Sequence, residues 1–107
     1  MTGHIVVFVT AGSAEEADKL SRGLVEGKFA FCVNSVPSIK STYYWEGKIH
    51  VDQETLLIIK TRKERYEDLE TWVRANHSYS VPEVIALSIE KGSMPYLKCI
   101  DDWVKKT

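Results

Sequence analysis

The stretch from Ala30 to Arg62, AFCVNSVPSIKSTYYWEGKIHVDQETLLIIKTR, narrows the possible folds more than any other part of this chain. It predicts two long strands joined at Trp45-Glu46-Gly47-Lys48, whereas strands in globular domains average about 5–6 residues. On the second arm Ile49, Val51, Thr55, Leu57, Ile59 and Thr61 share one face. Lys48, His50, Asp52 and Glu54 share the other, which turns apolar at Leu56 and Ile58. Four consecutive apolar residues, Leu56 to Ile59, mean that both faces are covered at the base of the hairpin. The aromatic cluster Tyr43, Tyr44 and Trp45 near the tip needs shelter too. A chain of 107 residues holds one domain with one core and cannot supply all of it. A second copy of the chain is the expected cover.

The remaining elements follow from periodicity. Ile5 to Val9 is a continuous apolar run, a strand buried on both faces. Ser13 and Glu16 have capping-box spacing before Ala17, Leu20, Leu24 and Val25, with Gly27 placed to end the helix. Tyr66, Leu69, Trp72 and Val73 mark a helix over Arg62–Asn76. A fourth strand is expected over Val81–Glu90, with Pro82 near its start. Ser93-Met94-Pro95 opens a last helix carrying Leu97, Ile100 and Val104. The order βαββαβ plus a C-terminal helix defines an α+β, ferredoxin-like subunit, a single domain over residues 1–107.

Composition removes several functional classes. A net charge of −1 with interspersed Lys, Arg, Asp and Glu offers no footprint for nucleic acid. The basic run Lys60 to Arg65 reads as a solvated strand-to-helix corner. No apolar run approaches the roughly 20 residues of a membrane span, and Met1-Thr2-Gly3-His4 lacks the pattern of a secretory leader. Cys32 and Cys99 sit in apolar surroundings and are expected reduced, in the cytoplasm. A phosphate loop, a nucleophile elbow and a Cys-x-x-Cys pair are all missing, so no enzymatic activity is expected.

Cys32-Val33-Asn34, Pro37, Ser41, Tyr43-Tyr44-Trp45-Glu46-Gly47-Lys48 and Lys60-Thr61, followed by His77-Ser78-Tyr79-Ser80-Val81-Pro82-Glu83 through Leu87, and Tyr96-Leu97, closely resemble the CutA family of divalent-cation-tolerance proteins. The resemblance runs along essentially the whole chain. It implies a tight homotrimer built around the long hairpins and a role in binding or responding to divalent ions such as copper. Trimers of ferredoxin-like subunits with lateral clefts also describe the nitrogen-regulatory PII proteins, sensors of small molecules or anions. The tight Glu46-Gly47 turn leaves no long mobile loop of that kind. A purely structural trimeric scaffold is the third reading.

Candidate site residues follow from donor chemistry and from the resemblance. His77 is a candidate metal ligand, and Cys32 offers a thiolate to soft ions such as Cu(I). Family members that bind copper carry further donors where this chain has Val9 and Asn76, so any copper or other divalent ion is expected to bind weakly. His77 bonding within the fold and Cys32 packing as a small apolar group are the competing structural readings. His50, Asp52 and Glu54 line one strand face and read as a solvent-facing stripe. Lys60 and Glu83 flank buried runs, which predicts an ion pair or, with Tyr79, an anion pocket at a subunit junction. Cys99 is expected in the core, and Tyr43, Tyr44 and Trp45 in an oligomer interface.

Overall fold

A computed structural model describes residues 2–104. The elements are β1 (His4–Ala11), α1 (Ala14–Glu26), β2 (Cys32–Trp45), β3 (Lys48–Arg62), α2 (Tyr66–Asn76), β4 (Val84–Ser88) and α3 (Met94–Trp103), with a 3₁₀ turn over Lys63–Arg65 leading into α2. One antiparallel sheet has the strand order β2-β3-β1-β4. This is the ferredoxin-like arrangement expected from the element order. The fourth strand is shorter than the apolar run around it, because pairing with β1 begins only at Val84, past Pro82.

The sheet has two unlike faces. Ile5, Val7, Val9, Leu57 and Ile59 point to the side covered by α1 and α2, where Leu20, Leu24, Leu69 and Val73 are completely buried against them. Val6, Phe8, Leu56, Ile58, Ile85 and Leu87 alternate with these along the paired strands and point to the opposite side. There α3 covers only one end, where Leu97, Ile100 and Val104 pack with Phe31. The middle stays open, with Ile85 and Leu87 both more than half exposed. Among the described residues, the outer edges of β2 and β4 have no strand beside them.

The hairpin carries a feature hidden in the sequence pattern. Val36 pairs with Leu56 and Ile39 with Glu54, so β2 spends one residue more than β3 between these pairs. This is a β-bulge at Pro37-Ser38. Pro37 fits because it has no N–H to give to a ladder, and Ser38 takes a left-handed backbone at φ 59°. Beyond the bulge the alternation reverses. Tyr43 and Trp45 therefore share the open face with His50, Asp52 and Glu54, while Tyr44 joins Ile49 and Val51 on the other. The expected three-ring cluster is thus split between two sides. Glu46 and Gly47, at φ 48° and 87°, close the tip as a two-residue turn whose twist matches the strands.

Candidate functional site

The loop from His77 to Glu83 is built on its own hydrogen bonds. The His77 side chain is fully buried. Its Nε2 donates to the Thr10 carbonyl at 2.8 Å, and its Nδ1 accepts the Tyr79 N–H at 3.0 Å. That pattern requires the neutral tautomer with the proton on Nε2. Both ring nitrogens are thereby occupied, and neither presents a lone pair to a metal. Glu16 accepts from the Ser78 N–H at 2.7 Å and the Ser78 hydroxyl at 3.0 Å, fixing the loop to the start of α1. The expected capping box is half made: Ser13 Oγ accepts the Glu16 N–H at 3.1 Å, and the Glu16 carboxylate turns to the loop instead. Burial works against the Glu16 charge, but the two Ser78 donors, with the Gly12 N–H, outweigh it and hold the carboxyl below its usual range.

This frame positions Tyr79. Its ring lies 4.7 Å from the His77 ring and its hydroxyl donates to Glu54 Oε2 at 2.7 Å. Gly12 permits the approach, since a Cβ there would stand 3.0 Å from the Tyr79 hydroxyl. Burial first, then the bond to Glu54, push the Tyr79 phenol far above its ordinary value, so it acts as a donor. Glu54 itself is only 7% exposed, not part of a solvent-facing stripe. The rest of that stripe is also engaged: Asp52 accepts from the Tyr43 hydroxyl at 2.5 Å, and His50 stacks on the Tyr43 ring at 5.3 Å.

Together these residues wall a cleft of about 410 Å³ between the hairpin and the loop before β4, lined by Tyr43, Trp45, Tyr79, Thr10, Glu54 and Glu83 among others. Burial and the nearby Glu54 charge raise the Glu83 carboxyl above its usual range. Lys60 is not part of this cleft. It pairs across the sheet with Val6, four residues and about 13 Å from Thr10 along β1. There Lys60 Nζ hydrogen-bonds Asn34 and lies 4.0 Å from Cys32 Sγ. The expected Lys60–Glu83 ion pair, and the grouping of Lys60 with Tyr79 and Glu83, therefore do not form within the subunit. The same separation keeps Cys32 apart from His77. Cys99 is exposed, contrary to the expected core position, because α3 turns Leu97 and Ile100 inward instead. Among the described residues no three His, Cys, Asp or Glu side chains converge as a metal-holding group. The sequence reading missed Gly12, Thr10 and the Asn34 amide; only the short spacing between Gly12 and the capping residues pointed toward the first.

The split-βαβ sheet, the bulged hairpin and the Tyr79-centred cleft define a ferredoxin-like class with an extended β2-β3 arm. The chain belongs to the CutA1 divalent ion tolerance protein family, whose model matches residues 5–106. It is 52% identical over 103 residues to the chloroplastic protein CutA of Arabidopsis thaliana, covering 96% of this chain and 54% of that protein. It is 42% identical over 102 residues to the divalent-cation tolerance protein CutA of Archaeoglobus fulgidus, covering 95% and 99%. The chain thus spans about half the length of the plant relatives and nearly all of the archaeal one. The crystal structure of CutA1 from Oryza sativa superimposes with a TM-score of 0.94 at 44% identity over 100% of both chains. The periplasmic divalent cation tolerance protein CutA from A. fulgidus does so with 0.92 at 42%, covering 95% and 99%. No helix among the described residues is long and apolar enough to cross a membrane.

Proposed function

We propose that the chain works in divalent-cation tolerance as a non-catalytic homotrimer. The observation that carries this reading is the half-covered sheet. Phe8, Leu56, Ile58, Ile85 and Leu87 form an apolar face that α3 only begins to cover. Burying such a face is worth about 25 cal/mol per Å² removed from water. The two free edges belong to different strands, β2 and β4. Joining unlike edges head to tail makes a ring rather than a two-fold dimer, and three copies form the smallest such ring. Tyr43 and Trp45 continue this face onto the hairpin, and Tyr44, Ile49 and Val51, all more than half exposed, offer a second apolar patch on the other side of the arm. Sedimentation at micromolar concentration should give one species of three subunits; a clean monomer would refute the assembly.

In this reading copper or another divalent ion is held weakly, through Cys32 with Asn34 as its neighbour at 3.9 Å, and without His77. A single thiol and an amide oxygen fall short of the three or four donors of a tight site. Calorimetric titration with copper and zinc should show weak heats that Cys32→Ser abolishes and His77→Asn leaves in place. A cytoplasmic location with both thiols reduced completes the reading; both cysteines are free. Small-molecule sensing after the manner of PII proteins is the second reading, favoured by the cleft at Tyr79 and opposed by the two-residue turn at Glu46-Gly47.

A further inference from the structure

From the Glu54–Tyr79–Glu83 cleft we infer a binding site for an organic ammonium group, a protonated amine or quaternary ammonium carried on a short aliphatic body. Its charge is on the page. Glu54 is more than nine-tenths buried and lines the cleft, with only Oε2 engaged, by Tyr79. Oε1 takes no hydrogen bond among the described residues, and neither Glu54 nor Glu83 pairs there with a Lys, Arg or His. A carboxylate this enclosed, with no counter-charge from its own subunit, favours a bound cation. Burial first, and then the neighbouring Glu54 charge, also disfavour the ionised Glu83.

The walls decide which cation. Three aromatic side chains, Tyr43, Trp45 and Tyr79, line the same cleft as the carboxylates. Ring faces attract ammonium groups and shelter the methylenes attached to them. A small inorganic divalent ion would need at least three converging donors, and the described residues offer no such group. At about 410 Å³ the space also exceeds what a bare ion fills and suits a small organic body. The hydroxyls of Thr10, Ser41 and Ser80 can accept the N–H bonds that two carboxylates leave over.

The test uses the full chain, labelled with ¹⁵N, and n-butylammonium as probe, with 1-butanol, tetramethylammonium and magnesium chloride at matched ionic strength alongside. The Trp45 indole and Tyr79 amide resonances should move saturably with both ammonium ions and not with 1-butanol or magnesium. Glu83→Gln, which keeps the shape and removes the charge, should weaken n-butylammonium by about tenfold or more, a loss of about 1.4 kcal/mol. Glu54→Gln should do the same if it folds; Glu83→Gln keeps the proposal testable if it does not. Equal binding of 1-butanol, saturable magnesium without ammonium binding, indifference to Glu83→Gln, or no response to any probe would each overturn it. Sedimentation of the same samples reports assembly separately. A monomer that binds n-butylammonium refutes the trimer alone, and a trimer that does not refutes this site alone.

Discussion

His77 shows how a residue type can point to the wrong chemistry. An imidazole in a polar loop is a reasonable metal donor by type, yet here it is a fully buried strut between β1 and the Tyr79 backbone. His77→Ala would strand the Thr10 carbonyl and the Tyr79 N–H, and should cost about 1–3 kcal/mol in urea unfolding. His77→Asn should recover part of that, which a metal-ligand role would not predict. Glu16 gives a pH signature. Its folded pKa is lowered, so the stability it contributes is complete above its unfolded pKa, near 4.5, and is lost as pH falls through the folded value. Urea midpoints of wild type should therefore fall across that acidic window more than those of Glu16→Gln, which is destabilised at neutral pH by loss of the charge and of one of the two oxygens that accept from Ser78. Parallel pH profiles would show that the Glu16 charge is irrelevant. The sequence showed Ser13 and Glu16 as partners because their spacing is local. The stronger tie, from Glu16 to Ser78, crosses 62 residues, and no periodicity encodes it.

The elements were legible where one face of each is buried against a neighbour. Alternation in β3 and the 3.6-residue spacing in α1 and α2 both survived folding unchanged. The bulge at Pro37-Ser38 did not show, because a one-residue slip leaves each half of β2 with a normal pattern and alters only their relative phase. Deleting Ser38 should remove the bulge and leave Ile39 opposite Glu54, so that Tyr43 and Trp45 keep the cleft face on an arm that has lost its bend. Cross-relaxation between the Tyr43 and His50 rings should persist and report the kept register, and its replacement by contact between Tyr44 and His50 would mean that the arm slips by one residue. Gly23 lies in mid-helix, where glycine is unfavourable. The reason is α2: a Cβ at Gly23 would stand 2.4 Å from the Trp72 ring. Despite its better helix propensity, Gly23→Ala should destabilise by about 1–3 kcal/mol through overpacking, read as an earlier thermal midpoint.

At the scale of the whole molecule, the subunit is a layer of helices on one side of a sheet whose other side is unfinished. The hairpin stretches it to 43 Å in one direction against 25 and 22 Å in the others. The site was legible only in part for the same reason. His77, Tyr79 and Glu83 form one readable motif, but Glu54 and Trp45 reach it from a strand pair whose bend and phase are tertiary properties. Replacing Ile49 with Glu should leave the monomer fold intact, since the side chain is 67% exposed, and should loosen the assembly by charge burial. Unchanged sedimentation would remove the hairpin face from the contact. An unfinished face also ties endurance to abundance. In the proposed trimer copies complete one another's cores, so the folding equilibrium would depend on the third power of chain concentration and mass action would enter the melting curve. Dilution should then lower the melting temperature steadily, so that a cell making more of this chain would make each molecule of it harder to unfold.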